Sequence, residues 1–188
     1  MKFARTPLFR YTVALLGFLF GAWKVVEDTC ITDFPIDMVV YCEGVKAFLE
    51  HRSVYSAPMP AGDIQLPFIY PPFGALAMVP LTAFDAIDHT LAGNIMVILS
   101  DLLVLVCLYF VFRAVLKKPE FLLPVTAITW AIVLHFEPVD LNNNYAQINI
   151  VVMALVILDL VPRKRFLPQG ILIGLAAAIK ITPLAMLL

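Results

Sequence analysis

The stretch LAGNIMVILSDLLVLVCLYFVF, residues 91–112, decides the class of fold, because it is a long apolar run that contains one carboxylate, Asp101. A helix needs about 20 such residues to cross the hydrocarbon core of a bilayer. Basic residues follow the run directly at Arg113, Lys117 and Lys118. We therefore predict a membrane-spanning helix whose C-terminal end lies on the more basic side.

The composition of the whole chain agrees with this prediction. Hydrophobic residues make up 62% of the sequence and charged residues 14%, and the mean hydropathy is +0.92. Soluble domains carry about 25% charged residues, so a bilayer is the expected surrounding of this chain. The net charge of −1 shows no excess of basic residues of the kind that nucleic-acid binding requires.

Further apolar runs lie on both sides of residues 91–112. With that run included, the candidate spans are residues 8–26, 91–112, 121–136, 148–161 and 170–188. We predict an all-α integral membrane protein, a multi-span helical bundle with about five spans in this chain. Its parts are a first span in residues 1–26, an external loop with interface helices in 27–88, and further spans in 89–188. Because the last run is still apolar at its end, residues 1–188 are expected to be the N-terminal part of a longer domain.

Charge placement predicts the orientation of these spans. With a cytoplasmic N-terminus, nine of the 13 basic residues lie on the cytoplasmic side, as the positive-inside rule requires. These nine are Lys2, Arg5, Arg10, Arg113, Lys117, Lys118, Arg163, Lys164 and Arg165. The first span is interpreted as an uncleaved signal anchor and not as a signal peptide, since no small-x-small cleavage site follows it. We expect a multi-pass protein of the plasma membrane with its polar site on the extracytoplasmic face.

The stretch LPFIYPPFGALAMVPLTAF, residues 66–84, is hydrophobic but rich in proline. Counting it as a span would reverse every later segment and place the basic residues after 112 outside. We therefore predict a helix that lies in the outer interface or dips into it. Irregular backbone at that depth needs a protein or cavity lining, so the segment is expected to line a cavity; the alternative is an interface helix that merely packs.

The stretch ITDFPIDMVVY, residues 31–41, starts the external loop. Asp33 resembles a helix N-cap followed by proline in the first turn. The predicted helix continues to about residue 51 with Met38, Tyr41 and Val45 on one apolar face, which is typical of an amphipathic helix resting on a membrane. Asp37 lies one turn into the predicted helix, where helix capping does not explain a carboxylate. It is either a solvated helix residue or a carboxylate directed at a cavity.

The stretch LHFEPVDLNNNYAQIN, residues 134–149, places polar groups at the predicted outer end of two spans. Helix capping explains part of the asparagine cluster at residues 142–144. It does not explain amides that continue into an apolar helix, where they are costly without a partner or a polar ligand. Amides, a histidine and an aromatic ring are suited to binding sugar hydroxyls. The candidates in this stretch are His135, Glu137, Tyr145, Gln147 and Asn149.

Lys180 is predicted to lie deep in the last span, roughly 15 Å from its cytoplasmic end at 1.5 Å per residue. A charge at that depth costs several kcal/mol unless it is paired or hydrated. A phosphate group is the favoured partner, and snorkelling to the interface is the alternative. Asp101 is either a similar functional group or an ordinary interhelical partner, and pairing of Cys30 with Cys42 stays open.

Four stretches in order resemble the signatures of glycosyltransferase family 87, the polyprenol-phosphate-mannose-dependent α-(1,2)-mannosyltransferases with a GT-C fold. They are DMVVYCEGVKAFLEHRSVYSAP (37–58), LPFIYPPFGALAMVPL (66–81), EPVDLNNNYAQIN (137–149) and GILIGLAAAIKITPLAMLL (170–188). The chain departs from the family where members often read YGQIN, because Ala146 replaces the glycine, and DLNNN before it is also unusual.

The resemblance implies an enzyme that transfers mannose from a polyprenyl-phosphate-mannose donor to a mannosylated cell-envelope glycolipid. The family's catalytic carboxylate maps onto Asp37, which would act as general base. Residues expected to bind the donor phosphate or sugar are Lys180, His135, Glu137, Tyr145, Gln147, Asn149 and Tyr70. One carboxylate acting as base suggests inversion, although Asp28 and Asp33 are near enough to leave that open. No metal-ligand cluster is visible, and neither a metal nor another cofactor is expected.

Two other functions stay open at this point. A multi-span transporter would line a translocation path with Asp101, Lys180 and the proline-broken segments. Such a carrier should place its polar residues at mid-membrane in paired halves, whereas most of them here crowd the predicted outer side. An inactive truncated chain that only packs against partners is the other alternative.

Overall fold

The computed structural model describes residues 6–31, 34–162, 164 and 167–187. Within these ranges the chain is mostly helical. The elements in chain order are α1 (Pro7–Ile31), α2 (Ile36–Leu49), β1 (Met59–Ala61), β2 (Ile64–Leu66), α3 (Pro72–Asp85), α4 (His89–Val115), α5 (Leu122–Val133), α6 (Glu137–Asn144), α7 (Asn149–Leu160) and α8 (Ile171–Ile179). The 3₁₀ segments Pro119–Phe121 and Thr182–Leu187 lie before α5 and after α8.

Helix length separates the described helices into spanning and shorter ones. Pro7–Cys30 and His89–Val115 are long and apolar enough to cross a membrane. A third span results only if Pro119–Val133 and Glu137–Asn144, which meet at 64°, form one broken span. The 12 residues of α7 and the 9 of α8 extend about 18 and 14 Å at 1.5 Å per residue. The structure thus supports a helical membrane protein, but the predicted five spans are not confirmed.

Close packing between α1 and α5 depends on two glycines of α1. A Cβ atom on Gly17 would lie 2.8 Å from the backbone of Ala127, and one on Gly21 would overlap the ring of Trp130. Their spacing of four residues places both on one helix face, the small-residue pattern that lets helices approach closely in membranes. The indole Nε1 of Trp130 also donates to the carbonyl oxygen of Asp101 at 2.8 Å, which joins α5 to α4.

The helix α2 forms where it was predicted, but its environment differs from the prediction. Met38, Tyr41 and Val45 of the predicted apolar face are buried, and so are Val39 and Val40 on other faces. The helix packs against α3, β1 and α4 and lies in the larger hydrophobic core. The prediction of a single apolar face is therefore wrong, because the following hairpin and α3 fold back over α2. The position of α2 at the membrane interface stays a prediction.

A short antiparallel hairpin, β1 paired with β2, interrupts the helical fold. Gly62 has a φ of +63° and is the first residue of the two-residue loop, where a type II′ turn requires positive φ. The prediction of an all-α chain is wrong at this point. The strands have only three residues each, which is too short for periodicity to indicate a strand.

The carboxylate of Asp159 fixes the start of α8. It accepts hydrogen bonds from the backbone N–H of Gly170 at 2.9 and 3.0 Å and from that of Ile173 at 2.9 Å. The first N–H groups of a helix have no partner within the helix, so this buried carboxylate satisfies donors that would otherwise be unpaired.

Asp159→Ala is expected to destabilise the protein, because it leaves these backbone N–H groups without their acceptor. Loss of a helix cap costs about 1–2 kcal/mol. Thermal unfolding of the purified full-length protein in detergent should show a lower Tm. Asp63→Ala, in the exposed hairpin loop, is the matched control and should leave the Tm unchanged. An unchanged Tm in Asp159→Ala would show that the cap contributes nothing.

Candidate active site

A chain of three hydrogen bonds joins a carboxylate to an amine at the edge of the larger core. The amide nitrogen of Gln147 donates to Oδ2 of Asp37 at 2.5 Å. The amide nitrogen of Asn149 donates to the side-chain oxygen of Gln147 at 2.6 Å, and Nζ of Lys180 donates to Oδ1 of Asn149 at 2.6 Å. Residues that lie as far apart in sequence as 37 and 180 are thus held in one polar group.

Two tyrosines lie beside this polar group. The hydroxyls of Tyr41 and Tyr70 are hydrogen-bonded at 2.8 Å, and both side chains are buried. Nζ of Lys180 lies 5.6 Å from the centroid of the Tyr70 ring, within the range of a cation–π contact. The segment between β2 and α3 therefore places Tyr70 beside this polar group, and its role in donor binding stays a prediction. The same region approaches α8 closely, since a Cβ on Gly74 would lie 2.8 Å from the carbonyl oxygen of Ile179.

The turn between α6 and α7 holds the start of α2. The backbone N–H of Asp37 donates to the carbonyl oxygen of Tyr145 at 3.2 Å. Ala146 has a φ of +51°, the left-handed conformation that glycine adopts at no steric cost. This conformation suits the glycine that the family resemblance leads us to expect at this position. Gly93 lets Pro35, just before α2, pack closely against α4. A Cβ at this position would lie 2.6 Å from Pro35 and 3.7 Å from Ala146.

Burial dominates the acid–base properties of the site. It raises the pKa of Asp37, and the hydrogen bond from Gln147 and the charge of Lys180 lower that pKa only in part. Burial also raises the pKa values of Tyr41 and Tyr70, so both hydroxyls stay protonated near neutral pH. A carboxylate with a raised pKa is a better proton acceptor than an ordinary one, because its conjugate acid is weaker.

A second ionic group, which the sequence analysis did not identify, holds the other end of α2. Nζ of Lys46 lies 2.9 Å from a carboxylate oxygen of Glu43 and 2.9 Å from Oδ2 of Asp85, whose Oδ1 is 2.5 Å from Nδ1 of His89. Burial alone would raise the pKa of Asp85, but the hydrogen bonds from His89 and Lys46 outweigh it and lower that pKa. In the sequence, this group could have been found from two spacings of oppositely charged or titratable residues. Glu43 and Lys46 are three residues apart, and Asp85 and His89 are four residues apart.

Some predicted site residues lie apart from this group. His135 is exposed, contacts the carbonyl oxygen of Ala131 at 2.8 Å and stacks on Phe20 at 5.2 Å. Glu137 is exposed at the start of α6, and Tyr145 contributes its backbone carbonyl while its side chain is 44% exposed. The predicted cap Asp33 lies outside the described residues. Cys30 and Cys42 are both free thiols, exposed and buried respectively.

The cavity predicted at Asp37 stays a prediction. One cavity of about 320 Å³ lies at the other end of α4 and α7, lined by Phe110, Arg113, Ala114, Val161, Pro162 and Lys164. Asp37 itself is half-buried. The described residues contain no group of three or more histidine, cysteine or acidic side chains that could hold a metal ion.

The fold and this site define a helical membrane protein in which a carboxylate, two amides and an amine are assembled at the edge of the core. Comparison with known proteins specifies the family. The sequence model of glycosyltransferase family 87 matches residues 68–188. The chain belongs to glycosyltransferase family 87, and the resemblance found in the sequence is confirmed.

Two similar proteins are polyprenol-phosphate-mannose-dependent alpha-(1-2)-phosphatidylinositol mannoside mannosyltransferases. The one from Mycolicibacterium smegmatis is 33% identical over 94% of this chain and 42% of its own length. The one from Mycobacterium tuberculosis is 31% identical over 92% of this chain and 42% of its own length. The chain thus spans less than half the length of these relatives. No solved structure matches the chain, and the GT-C fold stays a prediction.

Proposed function

We propose that this chain is the N-terminal part of an enzyme that transfers mannose from a polyprenyl-phosphate-mannose donor to a mannosylated glycolipid. The family and the names of the relatives support the reaction class. Proposed further are an extracytoplasmic active site in the plasma membrane and a general-base role for Asp37. The cavity walls that the described residues do not form would come from the rest of the protein.

Asp37 would accept the proton of the acceptor hydroxyl as that oxygen attacks the anomeric carbon of mannose. The bond between the anomeric carbon and the phosphate oxygen breaks, and polyprenyl phosphate leaves with the bonding electrons. Since no second carboxylate joins the group around Asp37 among the described residues, we propose direct displacement with inversion. Formation of an α linkage would then require a β-configured donor.

Lys180 would stabilise the negative charge that develops on the leaving phosphate, because a cation placed at developing charge lowers the barrier. Asn149 directs the amine, and the ring of Tyr70 lies beneath it. The observation that carries the proposal is the hydrogen-bonded connection from Asp37 through Gln147 and Asn149 to Lys180. A base and a cation are the two groups that the displacement needs, and this connection supports the assignment of those roles to Asp37 and Lys180.

The direct test uses membranes that contain the full-length protein, polyprenyl-phosphate-[¹⁴C]mannose and phosphatidylinositol mannosides of several lengths as acceptors. We expect labelled glycolipid one mannose longer than the acceptor. Nucleotide-linked [¹⁴C]mannose given to the purified protein should not replace the lipid donor. Movement of unchanged donor across the bilayer without glycolipid product would indicate a transporter and would contradict the proposal.

Gln147→Met is expected to move the acidic limb of the pH profile of kcat/KM to higher pH. The base must be deprotonated, so activity falls as the pH drops through the pKa of Asp37. The hydrogen bond from Gln147 lowers that pKa, and its removal should raise it further. With saturating acceptor, the profile to measure is that of kcat/KM for the donor. Gln65→Met, on the exposed face of β2, is the control; an unshifted limb in Gln147→Met would mean that this bond does not tune the base.

A further inference from the structure

A buried polar cluster lies away from the proposed reacting groups, between α1, α4 and α6. The side-chain amide nitrogen of Asn143 donates to Oδ2 of Asp28 at 3.0 Å and to Oδ1 of Asp101 at 2.8 Å. Nζ of Lys24 lies 2.7 Å from the other oxygen of Asp28 and 3.2 Å from Asp140. Asn143 is only 1% exposed and Asp101 is fully buried. One amide therefore joins carboxylates from two long helices.

Asparagine suits this position for a chemical reason. Its side-chain nitrogen carries two N–H groups, one for each carboxylate, and it adds no charge. Alanine at this position would remove the donor to Oδ1 of Asp101 and one donor to Asp28, which keeps its ion pair with Lys24. A buried carboxylate oxygen that loses its donor is costly. The cluster therefore fixes the position of α6 relative to α1 and α4.

The end of α6 leads directly to the groups that hold Asp37. The carbonyl oxygen of Asn143 accepts from the backbone N–H of Ala146 at 2.9 Å, and that of Asn142 accepts from the N–H of Gln147 at 2.8 Å. These bonds close the turn in which Ala146 adopts positive φ. The turn presents the carbonyl oxygen of Tyr145 to the N–H of Asp37 and the side chain of Gln147 to its carboxylate.

We infer that Asn143 is a positioning residue for Asp37, because it anchors the turn from which Tyr145 and Gln147 hold the start of α2. The inference rests on the proposed function, in which Asp37 is the base. Asn143 touches neither Asp37 nor Lys180 through its own side chain, so its effect passes through the turn. No motif of the family resemblance assigns this role, and the stretch DLNNN is where the chain departs from the family pattern.

The test uses the neutral variants Asn143→Ala and Asn143→Gln in the full-length protein. Since misplacement of a reacting group by 1 Å can cost about 100-fold in rate, we expect kcat to fall by about 10- to 100-fold. The KM for the donor should change little, because Lys180 and Asn149 keep their contacts. Asn144→Ala and Asn144→Gln are matched controls, since Asn144 is the exposed neighbour whose side chain contacts Asp140, and they should keep wild-type kcat.

The pH profile distinguishes positioning from a general loss of stability. The charged and titratable groups that face Asp37 are Lys180 after α8, whose charge lowers the pKa of Asp37, and Tyr70 before α3 and Tyr41 of α2, whose pKa values the charge of Asp37 raises. None of them changes in these neutral variants. A loosened turn should weaken the bond from Gln147, so the acidic limb should move to higher pH as in Gln147→Met.

Each outcome decides the inference. Lower kcat together with the shifted limb supports it, and wild-type kcat or an unshifted limb in a folded Asn143 variant overturns it. Asn143→Gln keeps an amide donor but adds one methylene, which moves that donor away from the two carboxylates, and it provides the decision if Asn143→Ala fails to accumulate in membranes. An inactive wild-type protein would instead contradict the proposed function, so the two failures are distinguishable.

Discussion

Asp37→Asn in the full-length protein is expected to abolish mannose transfer while membrane insertion stays normal. The amide keeps the size of the side chain but cannot accept the proton of the acceptor hydroxyl. General-base catalysis contributes about 10²- to 10⁴-fold, so kcat should fall by at least the lower value. Transfer of radiolabelled mannose into glycolipid measures the loss, and protease protection of the membranes reports insertion.

Two controls make this result specific to the base. Asp63→Asn replaces an exposed acid of the hairpin loop and should keep wild-type activity. Donor binding to Asp37→Asn should also persist, because Lys180 and Asn149 are unchanged. Full activity of Asp37→Asn would remove Asp37 from the mechanism, and the hydrogen bond from Gln147 would then have only a structural role.

Lys180→Met is expected to weaken donor binding more than acceptor binding. A hydrogen bond to a charged group contributes about 1.5–3 kcal/mol, which corresponds to about 10- to 150-fold in Kd at 1.4 kcal/mol per factor of ten. Methionine keeps an unbranched apolar side chain beside Tyr70 but supplies no charge. Binding of a fluorescent polyprenyl phosphate to the purified protein gives the donor-site Kd directly.

The matched control is Lys117→Met, which removes an exposed lysine after the C-terminal end of α4. It tests whether loss of one positive charge anywhere in the chain weakens binding of an anionic lipid. Equal Kd values for Lys180→Met and the wild type would contradict a role in donor binding. Lys180 would then be only a structural hydrogen-bond donor to Asn149. A higher Kd in both Lys180→Met and Lys117→Met would indicate a nonspecific electrostatic effect.

The sequence was informative where a polar residue lies in an apolar surrounding. Gln147, Asn149 and Lys180 were selected on that argument, because a buried polar group is costly without a partner. Asp37 was selected because it lies beside an apolar helix face where capping does not explain it. Their assembly in one hydrogen-bonded group agrees with that selection. His135 was selected only as a titratable group in the same stretch, and the structure places it on the exposed side of the bend after α5.

The structure also showed partners that local sequence does not reveal. Asn143 was explained as a possible cap, whereas its side chain joins α1 to α4. Asp101 was left between two interpretations, and the structure gives it an interhelical partner. Such partners are separated by 42 to 115 residues in the chain. Hydrophobic periodicity extends over one helix and holds no information on contacts at that distance.

Composition and apolar run length were sufficient to assign a helical membrane protein, since both are sums over local residues. Four ordered motifs were sufficient to assign the family. Only the tertiary structure decided that α2 is a core helix and that the runs after residue 121 break into short helices. It also decided that the carboxylate of Asp37 and the amine of Lys180 join one hydrogen-bonded group. These features depend on which segments fold over one another, because burial and hydrogen bonding are properties of the packed chain.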